Sequence, residues 1–367
     1  MIWGVISDTH EDKMNALPYI MDEFKKRNVQ AIIHAGDIEP KHIKPELFNN
    51  LPVICALVES QVEKAEFAKP PKGWIFTKPG KRVVNFCNNV IYVGHKRSFE
   101  FLTGSEADLI KTMNTIRRDY DFVRWLFSGH THHQIYKQGP LINFVNPGAA
   151  ESSFEGYEFA VIDTETEQIV FSRIPKTKPL KERFAVGVIS DSLNISDLDS
   201  SFWKRLADEF RKYNINHIIH CGNLVESDIG KEELENFQVY YNLRPDQKNP
   251  KAPKNWHLIS GEQPVVEING YRFYVQLDLG ADLLEQSEYD MHMLCLTLRR
   301  KYPGISFVLC GFTNEAFYEE GEQVRIINPG DIVKDQNYAV ISLPCAEITF
   351  SHVPAEPLPT INSNKVN

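Results

Sequence analysis

What this chain is missing narrows its class first. No apolar run approaches the roughly 18 residues of a membrane span, and no signal-type segment opens the chain, so neither membrane nor secretion is expected. The six cysteines (Cys55, Cys87, Cys221, Cys295, Cys310, Cys345) form no C-x-x-C pair, and most sit inside apolar runs. They read as reduced thiols in a cytoplasmic protein. An excess of basic residues is also absent. With 40 Lys and Arg against 49 Asp and Glu, the formal net charge is −9, which disfavours a nucleic-acid scaffold. An enzyme is not disfavoured, because bound divalent cations reverse the sign of the local field. At 367 residues, 42% apolar and 24% charged, the chain suits two soluble domains, each able to bury a core.

What is present begins with Val5-Ile6-Ser7-Asp8-Thr9-His10, where an apolar run stops abruptly at an acid, a hydroxyl and an imidazole. A buried strand ending in Asp-x-His sets an oxygen and a nitrogen ligand at the carboxyl edge of a sheet, where open α/β sheets bind ligands. Leu17, Ile20, Met21 and Phe24 then fall on one helical stripe, and Ala31 to His34 and Val53 to Val58 read as strands. This alternation predicts βαβ units. Lys81 to Phe86 and Val90 to Val93 read as strands around Asn88-Asn89. A long helix with Leu109, Met113 and Ile116 follows, then a strand from Phe122 to Phe127. Phe159 to Asp163 and Gln168 to Ser172 predict a hairpin.

The same order recurs. Val186 to Asp191 repeats the opening stretch without its histidine, and Ala31-Ile32-Ile33-His34-Ala35-Gly36-Asp37 matches His217-Ile218-Ile219-His220-Cys221-Gly222-Asn223. Thr115-Ile116-Arg117-Arg118 matches Thr297-Leu298-Arg299-Arg300, and Asn146-Pro147-Gly148 matches Asn328-Pro329-Gly330 at the same separation. Such agreement predicts a tandem duplication. Its units are 1–175 and 183–354, joined by a polar linker and followed by a flexible tail, 355–367.

In the first unit Asp8, His10, Asp37, His95, His130 and His132 all follow apolar runs, so all can converge on one sheet edge. Mixed carboxylate and imidazole donors suit Mn²⁺, Fe, Zn²⁺, Co²⁺ or Ni²⁺, and no cysteine stands among them. Their number suits two divalent ions roughly 3.5–4 Å apart. An isolated Asp-x-His is a weak signal and Asp37 by itself is a turn residue, but two imidazoles at i and i+2 in Gly-His-Thr-His have little structural use. His34 reads differently: its counterpart His220 survives in the disarmed unit, which marks it as structural. The Asn-Pro-Gly turn, kept in both, reads as architecture.

The order Asp-x-His, Gly-Asp, a strand end, Gly-His and Gly-His-x-His, with Asn-Pro-Gly behind it, resembles the calcineurin-like metallophosphoesterase superfamily, in its small bacterial and archaeal phosphodiesterase branch. The resemblance covers residues 1–175 in full motif form and 183–354 as a degenerate copy. It implies an α/β fold of two tandem domains, each a two-sheet β sandwich flanked by helices. It implies one ion, Mn²⁺ first, held by Asp8, His10, Asp37 and His132, and a second held by Asp37, the third-motif residue, His95 and His130. That third-motif residue is Glu59, where the family carries asparagine. A carboxylate there can ligate but would repel a substrate phosphate, so reduced efficiency or altered substrate choice is expected. Ser60 stands where the phosphatase branch has its acid histidine, and Glu11 replaces a glycine.

The second unit has Leu193 for His10, Asn223 for Asp37, Leu277 for His95, and Phe312 and Asn314 for the histidine pair; only Asp191 remains. One carboxylate cannot hold two ions. The expectation is therefore a phosphodiesterase whose N-terminal unit works by in-line attack of a metal-bridging hydroxide on a phosphate ester, with Asp37, Glu59, His95 and His130 at the reacting centre. The second unit packs on the first or offers a protein-contact surface. Two other readings stay open: a scaffold on the same fold without useful turnover, and a nucleotide sensor.

Overall fold

The apolar runs of the first half become short strands whose carboxyl ends gather on one side. The computed structural model describes residues 1–9, 16–86, 88–95, 106–120, 122–150, 156–176, 182–192, 201–243, 251–259, 264–279, 290–311, 314–321 and 324–355. The chain opens with β1 (Ile2–Ile6), α1 (Ala16–Lys26), β2 (Ala31–His34), β3 (Val53–Ala56), a short α2 (Glu59–Val62) and β4 (Trp74–Thr77). There follow β5 (Val83–Phe86), β6 (Asn89–Val93), α3 (Glu106–Asp119), β7 (Val123–Phe127), β8 (Gln134–Lys137), β9 (Asn143–Pro147), β10 (Gly156–Asp163) and β11 (Ile169–Pro175).

The second half runs through the same order. It comprises β12 (Phe184–Ile189), α4 (Phe202–Lys212), β13 (His217–His220), β14 (Gln238–Tyr241), β15 (Trp256–Leu258), β16 (Val265–Ile268) and β17 (Tyr271–Val275). It ends with α5 (Asp290–Lys301), β18 (Ile305–Leu309), β19 (Phe317–Glu320), β20 (Arg325–Asn328), β21 (Asn337–Leu343) and β22 (Glu347–His352).

β1 to β4 pair in parallel, as do β12 to β15, and strands of this kind are covered on both faces. That is why their sequences are unbroken apolar runs rather than alternating ones. α1 buries Leu17, Ile20, Met21 and Phe24 and ends in Lys25 and Lys26, which suit the negative end of the helix dipole. Its Phe24 ring lies directly over Gly4, where a Cβ would come within 2.4 Å of it. In the second half the Phe210 ring of α4 covers Gly187 in the same way, at 2.8 Å.

The two halves share their sheets. One sheet has 12 strands, six from each half, joined where β11 pairs antiparallel with β22 (Ile169↔Phe350 to Phe171↔Ile348). The other has 10, five from each half, joined where β8 pairs with β19 (Tyr136↔Tyr318). Between them lies one continuous apolar cluster that takes Trp3, Phe127 and Phe171 from the first half and Phe273, Tyr318 and Phe350 from the second. The Phe171 and Tyr318 rings meet at 5.1 Å across the seam.

The third strand ends two residues earlier than its apolar run suggests, because the Gln61 side chain accepts the Val58 N–H at 3.0 Å and opens α2. β4, β8 and β9 are short strands that periodicity did not distinguish from loop. The linker at 177–181, Leu193, Phe312 and the tail from 356 onward lie outside the described residues, as does the side chain of Leu109.

Candidate metal centre

Where the carboxyl ends of the two sheets meet, the backbone bends sharply at each polar residue. Asp8 (φ +54°), Asp37 (+57°), His130 (+74°) and His132 (+59°) all adopt the left-handed conformation, which Asp, Asn and His enter more readily than most residues. The Asp8 N–H donates to Gly36 O (3.0 Å), so the ends of β1 and β2 turn together. Gly129 brings the β7 loop in from the other sheet. A Cβ there would lie 1.8 Å from Ser7 Oγ, so only glycine permits this approach. The His130 N–H then donates to Asp8 Oδ2 at 3.0 Å.

His95, at the end of β6, is buried, and its Nδ1 lies 3.1 Å from Ala35 O. A carbonyl can only accept, so Nδ1 carries the proton and Nε2 presents a lone pair. That lone pair faces Asp8 Oδ1 at 3.7 Å and Asp37 Oδ2 at 3.9 Å. Burial lowers the His95 pKa, and the two carboxylates only partly oppose it, so the ring stays neutral. Burial would raise the Asp8 pKa, but the His132 imidazole, 3.3 Å from Oδ1, and His95 outweigh it and hold the acid at about 2. Asp8 Oδ1 is itself buried, and among the described residues the His132 imidazole at 3.3 Å faces it without a well-formed hydrogen bond.

Three acceptors thus face one another, the donor atoms of Asp8, Asp37 and His95 lying within 4.8 Å of each other. Acceptors crowd together in this way only where a cation can sit between them, and a histidine anchored by a backbone carbonyl is the usual second contact of a metal ligand. The donor set fits a divalent ion. His130 packs its ring edge-on to His95 at a centroid distance of 5.2 Å, and His132 stands half-exposed at the rim.

His10 lies outside the described residues. Glu59 is exposed at the start of α2 and outside the Asp8–Asp37–His95 group. The residue of that loop which turns inward is Gln61, whose Nε2 donates to Ile38 O (2.8 Å), next to Asp37. Periodicity carries no signal for it. His34 does what its retained counterpart implied. The Gly36 N–H donates to its Nδ1 (3.2 Å), so Nε2–H reaches Thr9 Oγ1 (3.0 Å); His220 repeats both contacts with Gly222 and Ser192.

In the second half the same edge is closed. Asn223 Nδ2 donates to Asp191 Oδ1 at 2.5 Å, and the Ser190 hydroxyl takes Oδ2 at 2.7 Å. Leu277 stands against Gly222 as His95 stands against Gly36. Both oxygens of the lone carboxylate are hydrogen-bonded, one to an amide and one to a hydroxyl.

A two-sheet α/β sandwich with carboxylates and imidazoles gathered where its strands end defines the metallophosphoesterase class. The chain belongs to the calcineurin-like phosphoesterase superfamily, whose domain model matches residues 1–167 and again 184–349. It is similar to a probable metallophosphoesterase of Methanothermobacter thermautotrophicus, 30% identical over 153 residues, covering 41% of this chain and 77% of that one. It is similar also to a phosphodiesterase of Methanocaldococcus jannaschii, 24% identical over 167 residues, covering 45% and 94% respectively. Among solved structures, an archaeal phosphodiesterase aligns with a TM-score of 0.37 at 18% identity over 47% of this chain and all of that one. Vacuolar protein sorting 29 of Cryptosporidium parvum aligns at 0.34 and 18% identity, over 46% and 90%.

Proposed function

We propose that the first half of this chain is a binuclear metal-dependent phosphoesterase acting on phosphodiesters, and that the second half is a copy without chemistry of its own. The observation that carries this reading is the neutral, lone-pair-bearing His95 Nε2 aimed at two carboxylates. Asp8, His10, Asp37 and His132 would hold one ion, and Asp37, His95 and His130 the other, while Glu59 would have to turn inward from the start of α2 to join them. Divalent ions held there, Mn²⁺ first, would supply an acidified water for in-line attack and would neutralise charge on the phosphoryl oxygens.

The side chains do the rest. Asp8, held ionised at about pKa 2, keeps its charge throughout the neutral range. The Ala35 carbonyl fixes the His95 tautomer. His132 lines the open rim, where a phosphate enters, and His130 packs beside it against His95. Glu59 is exposed at the start of α2, and a carboxylate in that motif would disfavour substrates that bring negative charge against it. The second half supports the duplication: it keeps His220, Asn328 and the turn backbone but seals Asp191 with Asn223. We take the units to be 1–175 and 183–354. The described cysteines form no disulfide, which suits a reducing, cytoplasmic setting, and no helix among the described residues is long and apolar enough to cross a membrane.

The test is metal analysis together with hydrolysis of bis-p-nitrophenyl phosphate under Mn²⁺. The wild-type chain should bind about two equivalents, and Asp37→Ala should lose them together with at least about 100-fold in kcat. Two equivalents retained in that variant would sink the bridging assignment. Neither metal nor turnover in the wild type would leave a scaffold.

A further inference from the structure

We infer that Glu320, a residue of the disarmed half, is a positioning residue for the metal centre of the first half, acting through Arg173 and Glu158. The inference rests on the reading of that centre given above. Glu320 Oε1 accepts from the Arg173 guanidinium and, at 3.1 Å, from Arg325. Arg173 donates in turn to Glu158 Oε1 through Nε (3.1 Å) and Nη2 (2.5 Å). All four side chains are more than nine-tenths buried.

The free end of this cluster points at the turn beneath the metal site. Glu158 Oε2 accepts the Ala149 N–H at 3.2 Å, and a Cβ on Gly148 would fall 2.1 Å from that same oxygen, so carboxylate and turn are in close contact. The next amide, Ala150 N–H, donates to Ser7 O at 2.9 Å, immediately before Asp8. Asn146 Nδ2 donates to Gly129 O (3.1 Å) and Thr131 Oγ1 (2.8 Å), which fixes the loop carrying His130 and His132. One turn therefore braces both Asp8 and the two histidines, and a buried carboxylate holds that turn.

The molecule contains its own control. Asn337 occupies the place of Glu158 in the second half: its N–H donates to Asp331 O (3.2 Å), and its Nδ2 lies 2.6 Å from where a Gly330 Cβ would be. Its partner across the seam is Gln138, whose Oε1 accepts from Asn337 Nδ2 at 2.7 Å. The side chains packed against the equivalent turn are thus a neutral amide pair, without a charged group. Burying two acids and two guanidiniums is costly, and neutral replacements of similar shape are often at least as stable. Burial, then the nearby Glu320, push the Glu158 acid upward against the pull of Arg173. Among the described residues the charged version stands at the turn beneath the metal centre, and there it can hold the turn more rigidly than an amide pair.

The experiment compares Glu320→Gln with Gln138→Ala in the full chain. It reads hydrogen exchange of the 146–150 peptide without metal, and then Mn²⁺ affinity and diester kinetics. Glu320→Gln should speed exchange of the Ala149 and Ala150 amides about tenfold. It should also weaken Mn²⁺ binding about tenfold and lower kcat with KM unchanged. Gln138→Ala, which loosens the same seam at the disarmed turn, should leave all three as in the wild type. Equal effects of the two variants, or none from Glu320→Gln, would overturn the inference. Faster exchange in Glu320→Gln, together with a wild-type chain that binds no Mn²⁺, would overturn the metal reading instead, and with it any catalytic purpose for the brace. Should Glu320→Gln not fold, Glu320→Asp, which keeps the charge and shortens its reach, carries the same comparison.

Discussion

His34 and His95 sit two strand ends apart and have opposite fates, and what separates them is what their Nδ1 atoms meet. A backbone N–H on His34 Nδ1 leaves the proton on Nε2, where it reaches a threonine hydroxyl; a carbonyl at His95 Nδ1 leaves Nε2 bare toward two acids. Burial drives His34 and His220 to about 3, well below the ordinary 6.5. Their unfolded forms therefore take up protons that the folded protein refuses, so their contribution to stability is whole above about pH 6.5 and fades as pH falls toward 3. Each should steepen acid destabilisation by at most about 1.4 kcal/mol per pH unit in that window. His220→Gln, far from the metal centre, should flatten the urea-midpoint profile between pH 6 and 4. An unchanged slope would mean that His220 is not excluded from protonation in the fold.

At the scale of elements, the left-handed residues at the strand ends recur in the second half, without the histidines: Asp191, Asn223 and Asn314 keep φ near +60°. The bend is thus a requirement of the strand-to-loop turn, which the proposed metal centre would use rather than create. Asn146 and Asn328 show the same division. Each accepts the N–H two residues on, at 3.1 and 2.9 Å, and donates to the glycine carbonyl of the facing loop. Asn146→Ala and Asn328→Ala should each cost about 1–3 kcal/mol in denaturant unfolding. Only the first should also reduce Mn²⁺-dependent hydrolysis. Equal losses of activity would show that the turns act through global stability alone.

In the whole molecule the seam matters most. Both sheets and the central apolar cluster pass through it, so neither half can lose its structure without exposing the core of the other. Calorimetry should show one cooperative transition; two resolved ones would mean that the halves melt separately. Tyr318 is buried between Phe171 and Phe350, and its hydroxyl donates to Gln134 Oε1 at 3.2 Å. Tyr318→Ala should cost about 3–5 kcal/mol by chemical denaturation, although the residue lies outside the half proposed to hold the metal. A loss below about 1 kcal/mol would mean that the seam packs loosely.

The sequence by itself determined the parallel strands, because fully covered strands must be apolar throughout. It determined the repeat, and it marked the acids and histidines that end apolar runs as candidates. The contrast between copies also separated His34 from His95 without coordinates, since a residue kept after the ligands are gone must serve the fold. Only the tertiary structure decided that the two repeats share two sheets and one core, because strand edges join by backbone hydrogen bonds that side-chain pattern does not encode. It alone set Glu59 outward and Gln61 inward, a choice made by one turn of helix. It alone placed Glu158, Arg173 and Glu320 together, because ion pairs between residues so distant in sequence leave no local pattern for periodicity to detect.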